Sequence, residues 1–253
     1  MLVLITGATS GIGYEFSLNY AKNNSDLILV ARNNKRLNEI KMNFERKYNI
    51  NVKIFCIDLS LTGASKKLVA GLKNIKVDIL INNAGIGEYG AFIHSDIEKL
   101  TAMINLNTTT LTELTHYFSK QMLQNNTGKI LNIASTASFQ AVPTFAVYAA
   151  TKAYVLNFSE AINYELRDTG VQVSTLCPGP TSTNFHISSN AIDNKHLTQD
   201  TLSAQEVAKM GIAQLENNKM TVVVGLKNKL LAFTSSVNPF RKLALIISAN
   251  IMK

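Results

Sequence analysis

Seven short apolar runs, separated by stretches of helix length, constrain this chain more than any other feature. Leu2–Thr6, Leu27–Ala31, Val52–Ile57, Asp78–Ile81, Lys129–Ile133, Val171–Leu176 and Thr221–Val224 read as strands. Their Val, Ile and Leu residues run on continuously instead of alternating with polar ones, as in strands buried on both faces. Between them, amphipathic patterns predict helices over about 11–23, 34–48, 61–72, 97–123, 148–167 and 204–215. Strands separated by helices form βαβ units and a parallel sheet. Right-handed crossovers then predict an α/β, Rossmann-like doubly wound sheet of about seven strands, ordered 3-2-1-4-5-6-7.

At 253 residues and 46% hydrophobic, the chain can bury the core of one large domain. No repeat and no Pro/Gly/Ser linker divides it. The expected domain covers residues 1–225. It includes a polar, irregular segment at about 181–203, placed as a lid over the carboxyl ends of the strands. Residues 226–253 read as a C-terminal extension of two short amphipathic helices parted at Pro239. No apolar run reaches roughly 18 residues, which predicts no membrane span. A first strand beginning at Leu2 predicts no signal or transit peptide. Cys56 and Cys177 lie in different strand-like runs, so two buried thiols without a disulfide are expected, as in a cytoplasmic protein. His94, His116, His186 and His196 are scattered, with no metal-ligand spacing.

The net charge of +8 raises nucleic acid as a partner, but its distribution argues against one. Beyond Glu216 there is no acidic residue, while Lys219, Lys227, Lys229, Arg241, Lys242 and Lys253 are basic. Those six leave only +2 on the first 216 residues. The basic, amphipathic tail is expected to pack on the body or on a second subunit. Contact with an anionic membrane surface, or cover for the substrate, are the lesser readings.

Directly after the first strand comes Thr6-Gly-Ala-Thr-Ser-Gly-Ile-Gly13. A buried strand, a glycine-rich turn and a helix start form a phosphate site. The helix N-terminus offers unpaired N–H groups and a partial positive charge, and glycines let the backbone approach the ligand. The second strand ends Ala31-Arg32-Asn33, with no acid before Glu39. An acid there would suit the ribose hydroxyls of NAD, whereas the planar guanidinium of Arg32 suits the 2′-phosphate of NADP(H). Asp58 ends the third strand, placed either to accept from an adenine amino group or to cap the next helix. Asn82-Asn83-Ala84-Gly85 ends the fourth, suited to a sugar edge or to a structural turn.

Tyr148 and Lys152, four residues apart, share one helix face. A neighbouring ammonium favours a phenolate, so the pair predicts a Tyr pKa drawn down from ~10 toward neutrality. Ser135 ends the preceding strand at the same edge of the sheet. A hydroxyl donor, a tunable phenol and an ammonium therefore converge.

With these motifs in order, the chain resembles the short-chain dehydrogenase/reductase superfamily of single-domain type. The resemblance runs over about residues 1 to 225 and is carried by Thr6–Gly13, Asp58, Asn82–Gly85, Asn107, Ser135, Tyr148 with Lys152, and Pro178-Gly179. It implies that Asn107, Ser135, Tyr148 and Lys152 are catalytic, with Asn105 competing with Asn107. It implies cofactor contacts from Gly7, Thr9, Ser10, Gly11, Ile12 and Gly13 of the loop and from Arg32. Further contacts come from Asp58, Leu59, Asn83, Ala84, Gly85, Tyr148, Lys152, Pro178 and Gly179, and from Thr181, with Thr183 as second choice for the nicotinamide carboxamide. No metal is implied. The mechanism would be hydride transfer between nicotinamide and a substrate carbonyl or hydroxyl, with Tyr148 as general acid/base. Ser135 would bond the substrate oxygen, Lys152 would hold the ribose, and Asn107 would position a water. A homodimer or homotetramer through helices 97–123 and 148–167 is also implied.

Phe139, Val142, Pro143, Phe145 and Phe185 would wall the pocket, so a small, mostly apolar carbonyl or alcohol substrate is expected. The alternative is a non-catalytic NADP(H)-sensing or scaffold protein on the same fold.

Overall fold

The computed structural model describes residues 1–191, 201–237 and 240–251. Its centre is a seven-stranded parallel sheet. The strands are β1 (Leu2–Thr6), β2 (Asp26–Ala31), β3 (Val52–Cys56), β4 (Ile79–Asn82), β5 (Gly128–Ile133), β6 (Val171–Cys177) and β9 (Thr221–Val223). They lie in the order β3-β2-β1-β4-β5-β6-β9, the predicted arrangement. Two minor strands, β7 (Thr181–Ser182) and β8 (Leu202–Ser203), pair with each other outside that sheet.

Successive side chains of a strand point to opposite faces, so each buried strand feeds two cores. Val3, Ile5, Leu27 and Leu29 face α1 (Gly11–Lys22), α2 (Asn34–Tyr48) and α8 (Ala204–Glu216), packing against Phe16, Leu37, Phe44 and Val207. Leu4, Ile28, Val30 and Leu80 face α3 (Ala64–Gly71) and α5 (Leu111–Gln124), packing against Leu68, Leu114 and Phe118. Helix α6 (Ala146–Glu165) also covers the sheet, burying Val155 and Leu156 beside Cys177.

Several local expectations change. The helix expected from residue 61 starts at Ala64, because Gly63 adopts φ +78° just before it. The single long helix 97–123 is instead α4 (Ile97–Ile104), a π-helical turn (Asn105–Thr110) and α5. There Asn105 Nδ2 donates to the Ser60 carbonyl at 2.6 Å and Thr110 Oγ1 to the Leu59 carbonyl at 2.8 Å. Polar side chains anchored outside the helix favour the widened turn over a regular ladder. Cys56 is exposed, not buried, because β3 is the sheet edge; Cys177 is buried on an inner strand, and both thiols are free. The expected lid holds β7, the short helix α7 (Phe185–Ser188) and β8, while residues 192–200, and His196 with them, lie outside the described residues.

The tail forms α9 (Leu226–Val237) and α10 (Arg241–Ile251), with Pro239 outside the described residues. The expected packing of the tail on the body is only partial. Ala232 and Ser248 are buried, but Leu226, Leu230, Phe233 and Val237 remain exposed. Among the described residues no helix is long and apolar enough to cross a membrane.

A buried polar chain joins the sheet to its helices. Asn82 Nδ2 donates to Thr115 Oγ1 at 3.1 Å and to Asn132 Oδ1 at 2.9 Å; Asn132 Nδ2 donates to Ser159 Oγ at 2.9 Å. All four residues are buried, so removing the central member takes away the hydrogen bonds to Asn82, Thr115 and Ser159 and leaves a space in the core, although Asn82 keeps Thr115 and Ser159 keeps the Val155 carbonyl. Asn132→Ala is expected to cost about 2–3 kcal/mol of stability. Urea titration checks this, and a loss below about 0.5 kcal/mol, the scatter of ordinary surface changes, would show that the network carries little of the fold's stability.

Candidate active site

The carboxyl ends of β1, β2, β4, β5 and β6 open onto one cleft of about 900 Å³, where ligands bind in doubly wound sheets. The glycine loop forms its floor. Gly7 (φ +66°) and Gly11 (φ +52°) occupy the left-handed region. Gly13 is excluded from any larger residue for another reason: a Cβ there would lie 2.2 Å from the Gly7 carbonyl oxygen. Ser10, at the cap of α1, is extended and makes no capping bond, so the first N–H groups of α1 keep no side-chain acceptor. That cradle fits a pyrophosphate.

Asn83 lines the cleft and also ties β1 to β4. Its Nδ2 donates to the Thr6 carbonyl at 2.9 Å and the Gly7 carbonyl at 3.3 Å, while the Asn83 and Ala84 N–H groups both donate to Thr6 Oγ1 at 3.0 Å. Arg32 rims the cleft with its side chain 66% exposed, 3.8 Å from the Asp58 carboxylate. Asp58 also accepts from Ser60 N at 2.9 Å and Ser60 Oγ at 2.7 Å. Burial opposes its charge, but the Ser60 hydrogen bonds and Arg32 together hold the carboxyl below its usual range.

At the other end of the cleft, Ser135 caps the short 3₁₀ turn Thr136–Phe139 and accepts from the Ala137 N–H at 3.1 Å. The turn is pinned on both sides. Thr136 N donates to the Pro178 carbonyl at 2.8 Å, and Ser138 Oγ donates to the Lys152 carbonyl at 2.8 Å. This brings the Ser135 hydroxyl into hydrogen-bond reach of Tyr148. Phe145 stacks on Tyr148 with centroids 4.4 Å apart, and Phe185 approaches from the lid side at 5.4 Å. Lys152 is 5% exposed and donates to the Ile133 carbonyl at 2.8 Å; its ammonium lies 5.8 Å from the Tyr148 ring centroid.

These surroundings overturn the expected downward shift of the phenol. Burial pushes Tyr148 up to about 12, opposed only in part by the Ser135 hydrogen bond. Burial likewise draws Lys152 down to about 8. Both groups lose water, and desolvation penalises each charged form more than their mutual attraction favours it. The tyrosine thus stands as a proton donor.

Asn107 and Asn105 separate cleanly. Asn105 is tied to Ser60, away from the cleft. Asn107 is buried behind Lys152. It bonds both the N–H and the carbonyl of Ile86, at 3.1 and 2.9 Å, and Thr151 Oγ1 at 3.1 Å. It braces the wall and does not itself line the cleft; neither does Gly13. The other expected cofactor residues all do. Thr181 Oγ1 turns to the Gly179 carbonyl at 2.9 Å, whereas the methyl group of Thr183 lies against Gly11. Of the expected pocket walls, Val142, Phe145 and Phe185 line the cleft. Pro143 does not, and Phe139 packs inward with Leu111 and Val155.

The sequence reading missed His186, which lines the cleft and bonds the Thr181 carbonyl at 2.9 Å, and Gln140, which accepts from Ser235 at 3.0 Å. Cover for the substrate, a lesser reading of the tail, fits the inner face of α9, where Lys227, Asn228, Leu231, Ala232 and Ser235 line the cleft. Their helical spacing was the one available signal.

A family model for short chain dehydrogenases matches residues 1–194. A very-long-chain 3-oxoacyl-CoA reductase from Rattus norvegicus is 29% identical over 213 residues, covering 83% of this chain but 66% of that protein's length. A very-long-chain 3-oxoacyl-CoA reductase-like protein from Arabidopsis thaliana is 34% identical over 217 residues, 84% of this chain and 69% of the relative. Among solved structures, a short-chain dehydrogenase from Sphingobium yanoikuyae in complex with NADPH superposes with a TM-score of 0.85. It is 29% identical and covers 93% of this chain and 92% of its own. The matched residues include the glycine loop, Ser135, Tyr148 and Lys152; the chain belongs to the short-chain dehydrogenase family, oxidoreductases that use a nicotinamide cofactor.

Proposed function

We propose that this protein is an NADPH-dependent reductase acting on the ketone of an apolar, acyl-type substrate. The observation that carries the reading is the convergence of Ser135, Tyr148 and Lys152 at the apolar end of a cleft whose far end is a glycine-lined helix start. The named activity of the rat and plant relatives favours a 3-oxoacyl thioester over the small compound expected from the sequence. Val142, Phe145, Phe185 and Leu231 supply apolar walls for an acyl chain.

NADPH, when bound, supplies the hydride to the carbonyl carbon. The chain's own part is proton placement. Ser135 donates a hydrogen bond to the substrate oxygen, fixing it and stabilising the charge that develops there. Tyr148 gives its phenolic proton to that same oxygen, converting C=O to CH–OH. The phenolate left behind is held by the Lys152 ammonium until product leaves and water entering the cleft returns the proton. Phe145 and Phe185 keep bulk water off the phenol. Arg32 selects the phosphorylated dinucleotide, being the exposed cation at the end of β2.

Tyr148→Phe removes the phenolic proton that is transferred to the oxygen. It is expected to lower kcat for carbonyl reduction by about 10²–10⁴-fold while leaving NADPH affinity within a small factor. NADPH consumption against a panel of 3-oxoacyl thioesters and simple ketones, with binding measured in parallel, tests it. Wild type and variant that bind NADPH yet are equally inert would identify a nucleotide sensor instead. Because Lys152 titrates near 8, the ammonium is present below that value and lost above it. Reduction rates are therefore expected to hold level through neutrality and fall as pH rises past about 8; a profile flat to about pH 10, near the ordinary lysine range, would remove Lys152 from the proton step. Arg32→Ala is expected to weaken NADPH binding by about tenfold or more, the value of one charged hydrogen bond, with NADH unaffected. Equal losses for both dinucleotides would contradict the assignment.

A further inference from the structure

Helix α9 has two faces with different work. At 3.6 residues per turn, Asn228, Leu231, Ala232 and Ser235 share one side, and that side lines the cleft. Leu226, Leu230, Phe233 and Val237 fall within about 60° of one another on the opposite side. They are 83%, 65%, 64% and 60% exposed. Lys229, exposed, borders this stripe on one edge; Lys227, also exposed, lies past the other edge and reaches the cleft that it helps to line. Helix α10 likewise exposes Leu245, Ile246, Ile247 and Lys242. Beyond Glu216 the chain carries six basic residues and no acidic one.

An apolar stripe bordered by lysines is the pattern of a helix lying in a membrane interface, where the apolar side enters the acyl boundary and the cations meet anionic headgroups. A contiguous apolar surface of this kind marks an interaction site. At 12 and 11 residues, α9 and α10 are too short to span a bilayer, which needs about 20. We propose that the outer face of α9, with α10, docks peripherally on an anionic lipid bilayer. The lipid is the favoured occupant over a second copy of this chain because every charged residue of α9 and α10 is a cation. Two copies meeting there would oppose cation to cation, whereas an anionic surface complements it. Docking of this kind sets the cleft-lining face of α9 one helix diameter from the bilayer. The inference stands independently of the reaction proposed above.

The test is sedimentation of the full chain with vesicles of neutral phosphatidylcholine and with vesicles containing phosphatidylserine, alongside its mass in solution without lipid. The expected result is binding to the anionic vesicles at least tenfold stronger than to the neutral ones, falling steeply between about 0.1 and about 1 M salt. The double variant Leu230→Ser/Phe233→Ser should abolish binding, and Lys229→Gln/Lys242→Gln should weaken it severalfold. Neither pair lines the cleft, and both variants should keep the wild-type melting temperature, which excludes misfolding as the cause. Failure of the wild type to sediment with anionic vesicles would overturn the proposal. So would equal binding to both vesicle types, or a lipid-free dimer that Leu230→Ser/Phe233→Ser converts to monomer without any vesicle binding.

Discussion

The site depends first on how the ends of two adjacent strands are locked together. Thr6 closes β1 and Asn83 follows β4. One hydroxyl accepts from two successive N–H groups, and one carboxamide donates to the carbonyls of Thr6 and Gly7. This clasp fixes the path of the chain as it leaves β1. Gly13 then fits against the Gly7 carbonyl, where a side chain has no room. The start of α1 is thereby aimed at the cleft with its N–H groups uncapped by side chains. The clasp uses only neutral groups in a largely buried setting, where each hydrogen bond is hard to replace with water.

The second constraint is desolvation at the other end of the same cleft. Lys152 and Tyr148 are buried by α6, Phe145 and Phe185, and burial drives their two pKa values apart, the phenol up to about 12 and the amine down to about 8. A protonated phenol beside an easily neutralised amine is suited to giving a proton, the need of a reductase. Ser138 links the two through the backbone carbonyl of Lys152, so the serine turn and the catalytic helix hold one geometry. Asn107 braces the wall behind them through Ile86 and Thr151. The π-helical turn at Asn105–Thr110 orients it, sending Asn105 to Ser60 and leaving Asn107 facing inward.

The tail joins the site to the surface. Asn228 packs so closely on Gly179 that a Cβ there would lie 2.3 Å from its Nδ2, and Ser235 bonds Gln140. One helix thus supplies both part of the cleft and an apolar outer stripe. A domain whose interior is already complete has no need of that stripe for its own core, since the sheet is covered on both faces by other helices.

By itself the sequence determined the sheet, its strand order, the glycine loop and the Ser135/Tyr148/Lys152 set. These follow from continuous apolar runs, from helical spacing and from residue types with few other uses in such places, all of them local properties. Tertiary structure alone decided the rest. The backbone bonds of Asn83 could be read only once β1 and β4 were seen side by side. Asn107 was separated from Asn105 only by a widened helical turn. Cys56 was exposed by its place at the sheet edge, and Phe139 was turned inward by its short helix. The direction of the Tyr148 shift depended on burial from elements distant in sequence, as did the division of the last helices into an inner and an outer face. Spacing along the chain reports which groups are neighbours; how much water those neighbours exclude is a property of the packed whole.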